Sequence, residues 1–563
     1  MEEFFMKKLF AVTMSAVMAL SLTACSSSSA PADDSSSTGT DTETKTADAS
    51  GNTVVTLAKE NDVISMNSSY ATDGMSFEVI AMTVEGLETI AEDGAVVPGL
   101  AESYETSDDE TTYTFKLRDA NWDNGDPVTA NDFVFAWETT IHNPEAEYAY
   151  LFGSDGACVK GADEILNGDK EGKLDIKAVD DKTFEVHLTQ KVPYFLFLTS
   201  FPVFFPINEA FYKEQGEDGK EYGLTPENLL ANGPYKLTEW TSGTNLKLAK
   251  NEKYWDANSI GVDEININIA PEASTSALDF EAGNTDFTKL NSTLVDKYKD
   301  NEAYDTFLEG YLWYLQYNMD NDILKNENIR KALSTVVDRT DLAENVLKDG
   351  SIPLGGFVPK EFALGPDGKD YTETGTAYFT EQGDEALKKA TEYWEKGLKE
   401  LGTDSVTLRL LYEPSDPSKP AAEFIQSQLQ QLPGLTIEMV SQEKKNRIEL
   451  QKQGDFDIVL TRWGPDYADP TTYLNLMITG NSYNYGNYSN PEYDKLLKEA
   501  ASESDLEARW KKLHDAEAIL MEDLPVVGIF QVGGASLVNP KVTGIEDHSA
   551  GVPYLYYNLK KAE

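Results

Sequence analysis

Residues 406–470 read VTLRLLYEPSDPSKPAAEFIQSQLQQLPGLTIEMVSQEKKNRIELQKQGDFDIVLTRWGPDYADP, and the fold turns on this stretch. The short apolar run 407–411 predicts a strand. A helix over 421–432 follows, stopped by Pro433-Gly434, and then a strand over 436–440. A helix over 443–453 and a strand over 456–461 complete the series. Just upstream, 385–401 predicts a helix with Leu387, Thr391, Trp394, Leu398 and Leu401 on one stripe. Strands alternating with helices in short units predict an α/β architecture, a parallel sheet with covering helices. Such sheets bind ligands beyond the carboxyl ends of their strands. The segment leaving the last strand is Arg462-Trp463-Gly464-Pro465-Asp466-Tyr467-Ala468-Asp469-Pro470, so it is the first candidate site.

Working outward, the first third of the chain mixes strands and helices. Tyr113, Phe115 and Leu117 alternate with polar neighbours, as do Phe184, Val186 and Leu188. Thr129-Ala130-Asn131-Asp132 resembles a capping box, after which Phe133, Trp137 and Ile141 share one helical face. Tyr235-Lys236-Leu237 and Leu246-Lys247-Leu248 flank the turn Thr241–Thr244 and predict a hairpin. Past residue 525 short apolar runs return, beginning Val526-Val527-Gly528-Ile529-Phe530. No internal repeat and no second linker stand out, so the chain is expected to cross between lobes more than once.

The composition excludes several classes. The chain has 563 residues, with 47 Lys and Arg against 97 Asp and Glu, so 47 − 97 gives a net charge of −50. Such a surface repels nucleic acid phosphates and anionic lipid. Hydrophobic residues make up 40%, enough for large cores in two or more lobes. The four histidines, His142, His187, His514 and His548, are scattered, so no metal or other cofactor is expected. Gly-x-Gly-x-x-Gly, Walker and Gly-x-Ser-x-Gly patterns are missing. Among 97 carboxylates no pair signals glycosidase chemistry.

The N-terminus carries an export signal. Lys7-Lys8 precedes the uncharged run 9–22, which rises about 21 Å as a helix and falls short of a hydrocarbon core of roughly 30 Å. Leu22-Thr23-Ala24-Cys25 closes it. This looks like the lipobox of bacterial lipoproteins, which implies removal of residues 1–24 and a diacylglyceryl group on Cys25. Two acyl chains give stable anchoring where one gives marginal binding. The alternative is an ordinary secretory signal with a chance cysteine. Residues 25–50, mostly Ser, Thr, Asp and Ala, predict an unfolded tether. Cys158 is left unpaired and is expected to be a small buried residue.

Several ordered blocks together resemble the solute-binding proteins of oligopeptide and dipeptide ABC importers. They are Val84-Glu85-Gly86-Leu87, Val97 to Tyr104, Tyr113 to Arg118, Trp122 to Trp137, Asn232-Gly233-Pro234-Tyr235, Asn251 to Trp255, Ile329 to Leu333 and Trp463 to Pro470. The resemblance spans nearly everything after residue 55. It implies a two-lobed periplasmic-binding-protein-like α/β fold with two hinge crossings. Lobe 1 would comprise 51–312 plus 525–563, with an extra subdomain near 91–204, and lobe 2 would comprise 313–524. It implies a monomer that is not an enzyme. It also implies capture of oligopeptides outside the cytoplasm for ABC importer permease subunits, from a lipid anchor on the outer face of a bacterial membrane.

The resemblance further implies that Asp466 grips the peptide α-ammonium, with Trp463 and Tyr467 walling the site and Gly464 beside them. Tyr483, Asn484 and Tyr485 fall at the family's ligand-contacting stretch, where Asn484 would bond peptide backbone. Phe135 stands where relatives often carry Tyr. Taken alone, the aromatics read equally well as core, and Asp466 as a turn residue. Arg462 either balances Asp466 or Asp469 or meets a ligand carboxylate, and Asp469 caps or shapes the loop. Rival functions are a different solute on the same fold (a dipeptide, heme or a nickel complex), a secreted hydrolase, and a structural surface protein.

Overall fold

The computed structural model describes residues 51–562. The signal segment, Cys25 and the tether lie outside them. The first half contributes β1 (Val54–Lys59), α1 (Gly74–Thr83), β2 (Ala101–Thr106), β3 (Thr112–Leu117), α2 (Ala130–His142), β4 (Ile176–Asp180), β5 (Thr183–His187), β6 (Tyr235–Thr241), β7 (Asn245–Lys250), β8 (Glu264–Ile269) and β9 (Phe287–Leu290). Then follow β10 (Tyr304–Tyr317), α3 (Gly383–Leu401), β11 (Val406–Tyr412), α4 (Ser418–Leu429), β12 (Leu435–Ser441), α5 (Lys444–Lys452), β13 (Ile458–Trp463), α6 (Leu506–Asp523) and β14 (Val526–Val538).

The local rules explain much of the first half. Thr129 and Asp132 close the capping box at the start of α2, with the Thr129 N–H donating to the Asp132 carboxylate at 2.9 Å. Phe133 and Trp137 on the buried face of α2 meet Phe184 of β5, with ring centroids 5.5 and 5.1 Å away. That helix covers a small antiparallel sheet ordered β2-β3-β5-β4. The predicted hairpin is β6–β7.

The large sheet runs β12-β11-β13-β10-β14-β9-β1-β8-β7-β6. Each element of the 385–461 series is present, and β11 is parallel to both β12 and β13. The sheet as a whole is mixed rather than parallel. β13 meets β10 antiparallel, because β10 arrives from the first half of the chain and not through a helical crossover. β10 and β14 pair along their length and join the two halves of the sheet, giving the two hinge crossings of a two-lobed α/β fold. Their ladder breaks between Leu308 and Leu312, opposite Gly533 and Gln531, so Glu309, Gly310 and Tyr311 form a bulge.

A core of Trp313, Leu315, Trp394, Leu408, Ile425 and Leu460 fills the second half. The Trp394 indole N–H donates to the Pro433 carbonyl at 2.8 Å, tying α3 to the stop after α4. The larger core is continuous from the first half to Tyr467, Tyr473, Tyr493 and Leu513. The segment after β13 therefore packs beyond its own half.

Candidate ligand cleft

β13 ends at Trp463, and Pro465 and Asp466 enter the lining of a cavity of about 790 Å³. The other walls are the end of β1, the start of α1, the β10 bulge and the C-terminal stretch around Asp547 to Gly551. These walls meet closely at Gly310. A Cβ there would sit 2.0 Å from the Ser549 carbonyl oxygen and 2.6 Å from Pro465 Cγ. At Gly464 a Cβ would lie 2.3 Å from the Tyr311 ring, so that ring lies against bare backbone.

Asp466 has the chemistry of a cation receptor. The Tyr150 hydroxyl donates to its Oδ1 at 3.0 Å. Burial pushes its carboxyl up to about 6, against the pull of that hydrogen bond and with a further rise from Asp155. Among the described residues no Lys or Arg pairs with it. The site thus holds a largely desolvated carboxylate with one oriented neutral donor and room on the cavity side.

The other expected residues separate into distinct roles. Tyr467 is 4% exposed and stacks flat on Tyr194 at 3.7 Å, so it lies in the core beneath the loop rather than on the cavity wall. Trp463 meets Tyr483 edge-on at 4.7 Å, and Tyr485 stands 6.3 Å beyond. The three rings form a row beside the cavity and do not line it. The Trp463 indole N–H is buried without a partner among the described residues.

Asn484 is a correction. Its amide donates to the Ile478 and Tyr488 carbonyls at 3.1 and 2.8 Å and accepts from the Tyr488 N–H at 3.0 Å. Its bonds close its own loop, and it is 5% exposed. Phe135 is another: it packs on Tyr212 at 5.3 Å, near the Lys213 ammonium, and does not line the cavity. Arg462 pairs with neither aspartate and lies over Tyr311 at 5.3 Å. Asp469 caps Thr471 and is matched instead by Arg509, at 2.8 Å in a buried ion pair. Cys158 is buried, and its thiol is pushed up to about 11, which makes it inert. Tyr150, Tyr194 and Gly310 escape sequence reasoning, since no spacing rule links them to a loop so far along the chain.

Comparison with known proteins agrees with this architecture. The family described as bacterial extracellular solute-binding proteins, family 5 (middle), matches residues 95–485. The dipeptide-binding protein of Lactococcus lactis is 35% identical over 89% of this chain and 92% of its own. The Listeria monocytogenes OppA bound to peptide is 33% identical, with a TM-score of 0.69 over 91% of this chain and 100% of its own. The Escherichia coli murein tripeptide binding protein MppA, in its unliganded open form, is 27% identical, with a TM-score of 0.79 over 91% of this chain and 97% of its own. On the strength of the family match and of relatives aligned along most of its length, the chain belongs to the bacterial extracellular solute-binding proteins of family 5.

Proposed function

We propose that the protein captures oligopeptides outside the cytoplasm and delivers them to the permease subunits of an ABC importer. The observation that carries this reading is Asp466: a half-buried carboxylate on the wall of a roomy cleft, with no cationic partner among the described residues. The α-ammonium is the one charge common to unmodified peptides, and a carboxylate–ammonium hydrogen bond is charge-assisted. The rest of an extended peptide pairs its backbone with exposed chain edges, which gives affinity with little dependence on sequence. Hydrated pockets then tolerate varied side chains. The relatives named for peptide binding support the same ligand class. In this reading a bound peptide leaves the cleft intact.

The lobes of this reading are 51–312 with 525–563, carrying an extra subdomain near 91–204, and 313–524. The sheet order and the small β2-β3-β5-β4 sheet support those boundaries. In the same reading Cys25 carries the diacylglyceryl anchor, and the protein works as a monomer on the outer face of the membrane. Native mass spectrometry of protein extracted from membranes tests both halves. The expected result is a mixture of co-purified peptides with free N-termini and a mature chain beginning at lipidated Cys25. A single non-peptide compound would overturn peptide capture, and an unlipidated N-terminus would overturn the anchor.

A further inference from the structure

We propose that the cleft selects peptides bearing basic side chains. This rests on the peptide-capture reading and sharpens its ligand class. Among the described residues only two cations line the cavity, Lys59 and Lys289, and each already faces a glutamate. The Lys59 ammonium lies 2.8 Å from Glu78 Oε2 and 3.8 Å from the centre of the Tyr554 ring. The Lys289 ammonium is 3.5 Å from Glu309 and 5.2 Å from the same ring. Five further carboxylates line the cavity, Glu60, Asp62, Asp73, Asp466 and Asp547, and among the described residues none has a Lys or Arg within ion-pair distance.

Asp62 and Asp73 are fixed in place. Asp62 accepts from the Gly243 N–H at 2.6 Å and the Ser242 hydroxyl at 2.7 Å. Asp73 caps α1, accepting from the Ser76 N–H at 2.9 Å and hydroxyl at 2.6 Å. The Ser76 hydroxyl oxygen in turn accepts from the Ile64 N–H at 3.0 Å, which holds both acids on one wall. Asp547 faces Asp305 and Glu361 as well as Lys289.

An independent sign of a ligand contact is Tyr554. It is 4% exposed, lines the cavity, and its hydroxyl has no hydrogen-bond partner among the described residues. The carboxylates of Glu78, Asp547, Glu309 and Asp305 surround that hydroxyl, and its oxygen is free to accept from a ligand N–H. A peptide with neutral side chains answers Asp466 with its ammonium and adds its own carboxylate, leaving the negative excess unchanged. Each lysine or arginine reduces that excess and each glutamate adds to it. Low-dielectric walls lined by one sign of charge focus this field.

The test is calorimetry on ligand-stripped protein with three tetrapeptides, Ala-Lys-Ala-Lys, Ala-Gln-Ala-Gln and Ala-Glu-Ala-Glu, at low salt and at about 0.5 M NaCl. Affinity should fall in that order, by at least about tenfold from the first to the last at low salt, and the spread should shrink in high salt. Glu60→Lys, at an exposed position without side-chain bonds, should narrow the lysine-to-glutamate ratio at least about threefold. Equal affinities or a reversed order would overturn the selection and leave peptide capture standing. A ratio unchanged in both Glu60→Lys and Asp547→Asn would also overturn it. Failure of all three peptides to bind would sink both readings.

Discussion

Asp466 is where the proposed function can be tested one atom group at a time. Replacing it with Asn keeps the shape and the Tyr150 contact but removes the charge. Losing one partner of such a pair typically costs roughly 2–5 kcal/mol, so Asp466→Asn should weaken peptide binding at least about tenfold by calorimetry. Unchanged affinity would remove Asp466 from the site. The same group sets a pH dependence. In the empty cleft its carboxyl is raised to about 6, whereas an ammonium partner favours the ionised form and lowers it. Binding is therefore linked to proton loss. Affinity should be highest near pH 7, fall below about 6, approaching tenfold per pH unit, and fall again above about 8 as the free peptide's α-ammonium loses its proton. The Asn variant should lose this slope. That Asp466 stands on the loop leaving a sheet strand was legible in the sequence, because it follows the strand–helix series. Its hydrogen-bond donor Tyr150 was not, because only the folded chain brings the two together. Asn484 was misread because nothing local reveals that an amide is consumed by its own loop.

At the scale of elements, the strand–helix series was legible because each unit is short, amphipathic and punctuated by Pro-Gly or polar turns. The mixed sheet and the bulge were not, since both depend on how β10 registers against strands from far along the chain. Gly310 tests whether that bulge shapes the cleft. A Cβ would press on the Ser549 carbonyl, a backbone atom that cannot swing aside. Gly310→Ala should thus destabilise the fold by about 1–3 kcal/mol in chemical denaturation and weaken peptide binding. Gly355→Ala is the control. Its Cβ would meet only the Tyr378 carbonyl oxygen, at 3.9 Å, and should change stability by less than about 0.5 kcal/mol. Equal effects at the two glycines would refute the packing argument.

For the whole molecule, the charge of −50 hides a few carboxylates that behave unlike the rest. Glu85 is fully buried, accepts from the Tyr254 hydroxyl and Trp255 indole at 2.6 and 2.7 Å, and is raised to about 7 by burial. Glu517 accepts from the Phe357 N–H at 2.7 Å and is likewise raised to about 7. A carboxyl whose pKa is higher folded than unfolded binds more protons in the native state through that interval. Stability then rises as pH falls from about 8 towards 5, by up to roughly 3 kcal/mol for each group. His548, lowered to about 4, and His514, also lowered, act in the opposite sense below pH 6.5, where the unfolded chain takes up their protons first. Thermal unfolding at fixed ionic strength should therefore show a loss of stability from about pH 6 to pH 8 that Glu517→Gln reduces. A melting temperature that climbs steadily to pH 8 would contradict it.

Because β10 and β14 are shared ladder partners of both halves of the large sheet, the hinge is not a pair of slack tethers. Any closing motion must twist hydrogen-bonded ribbon at the bulge, and twisted ribbon stores elastic energy.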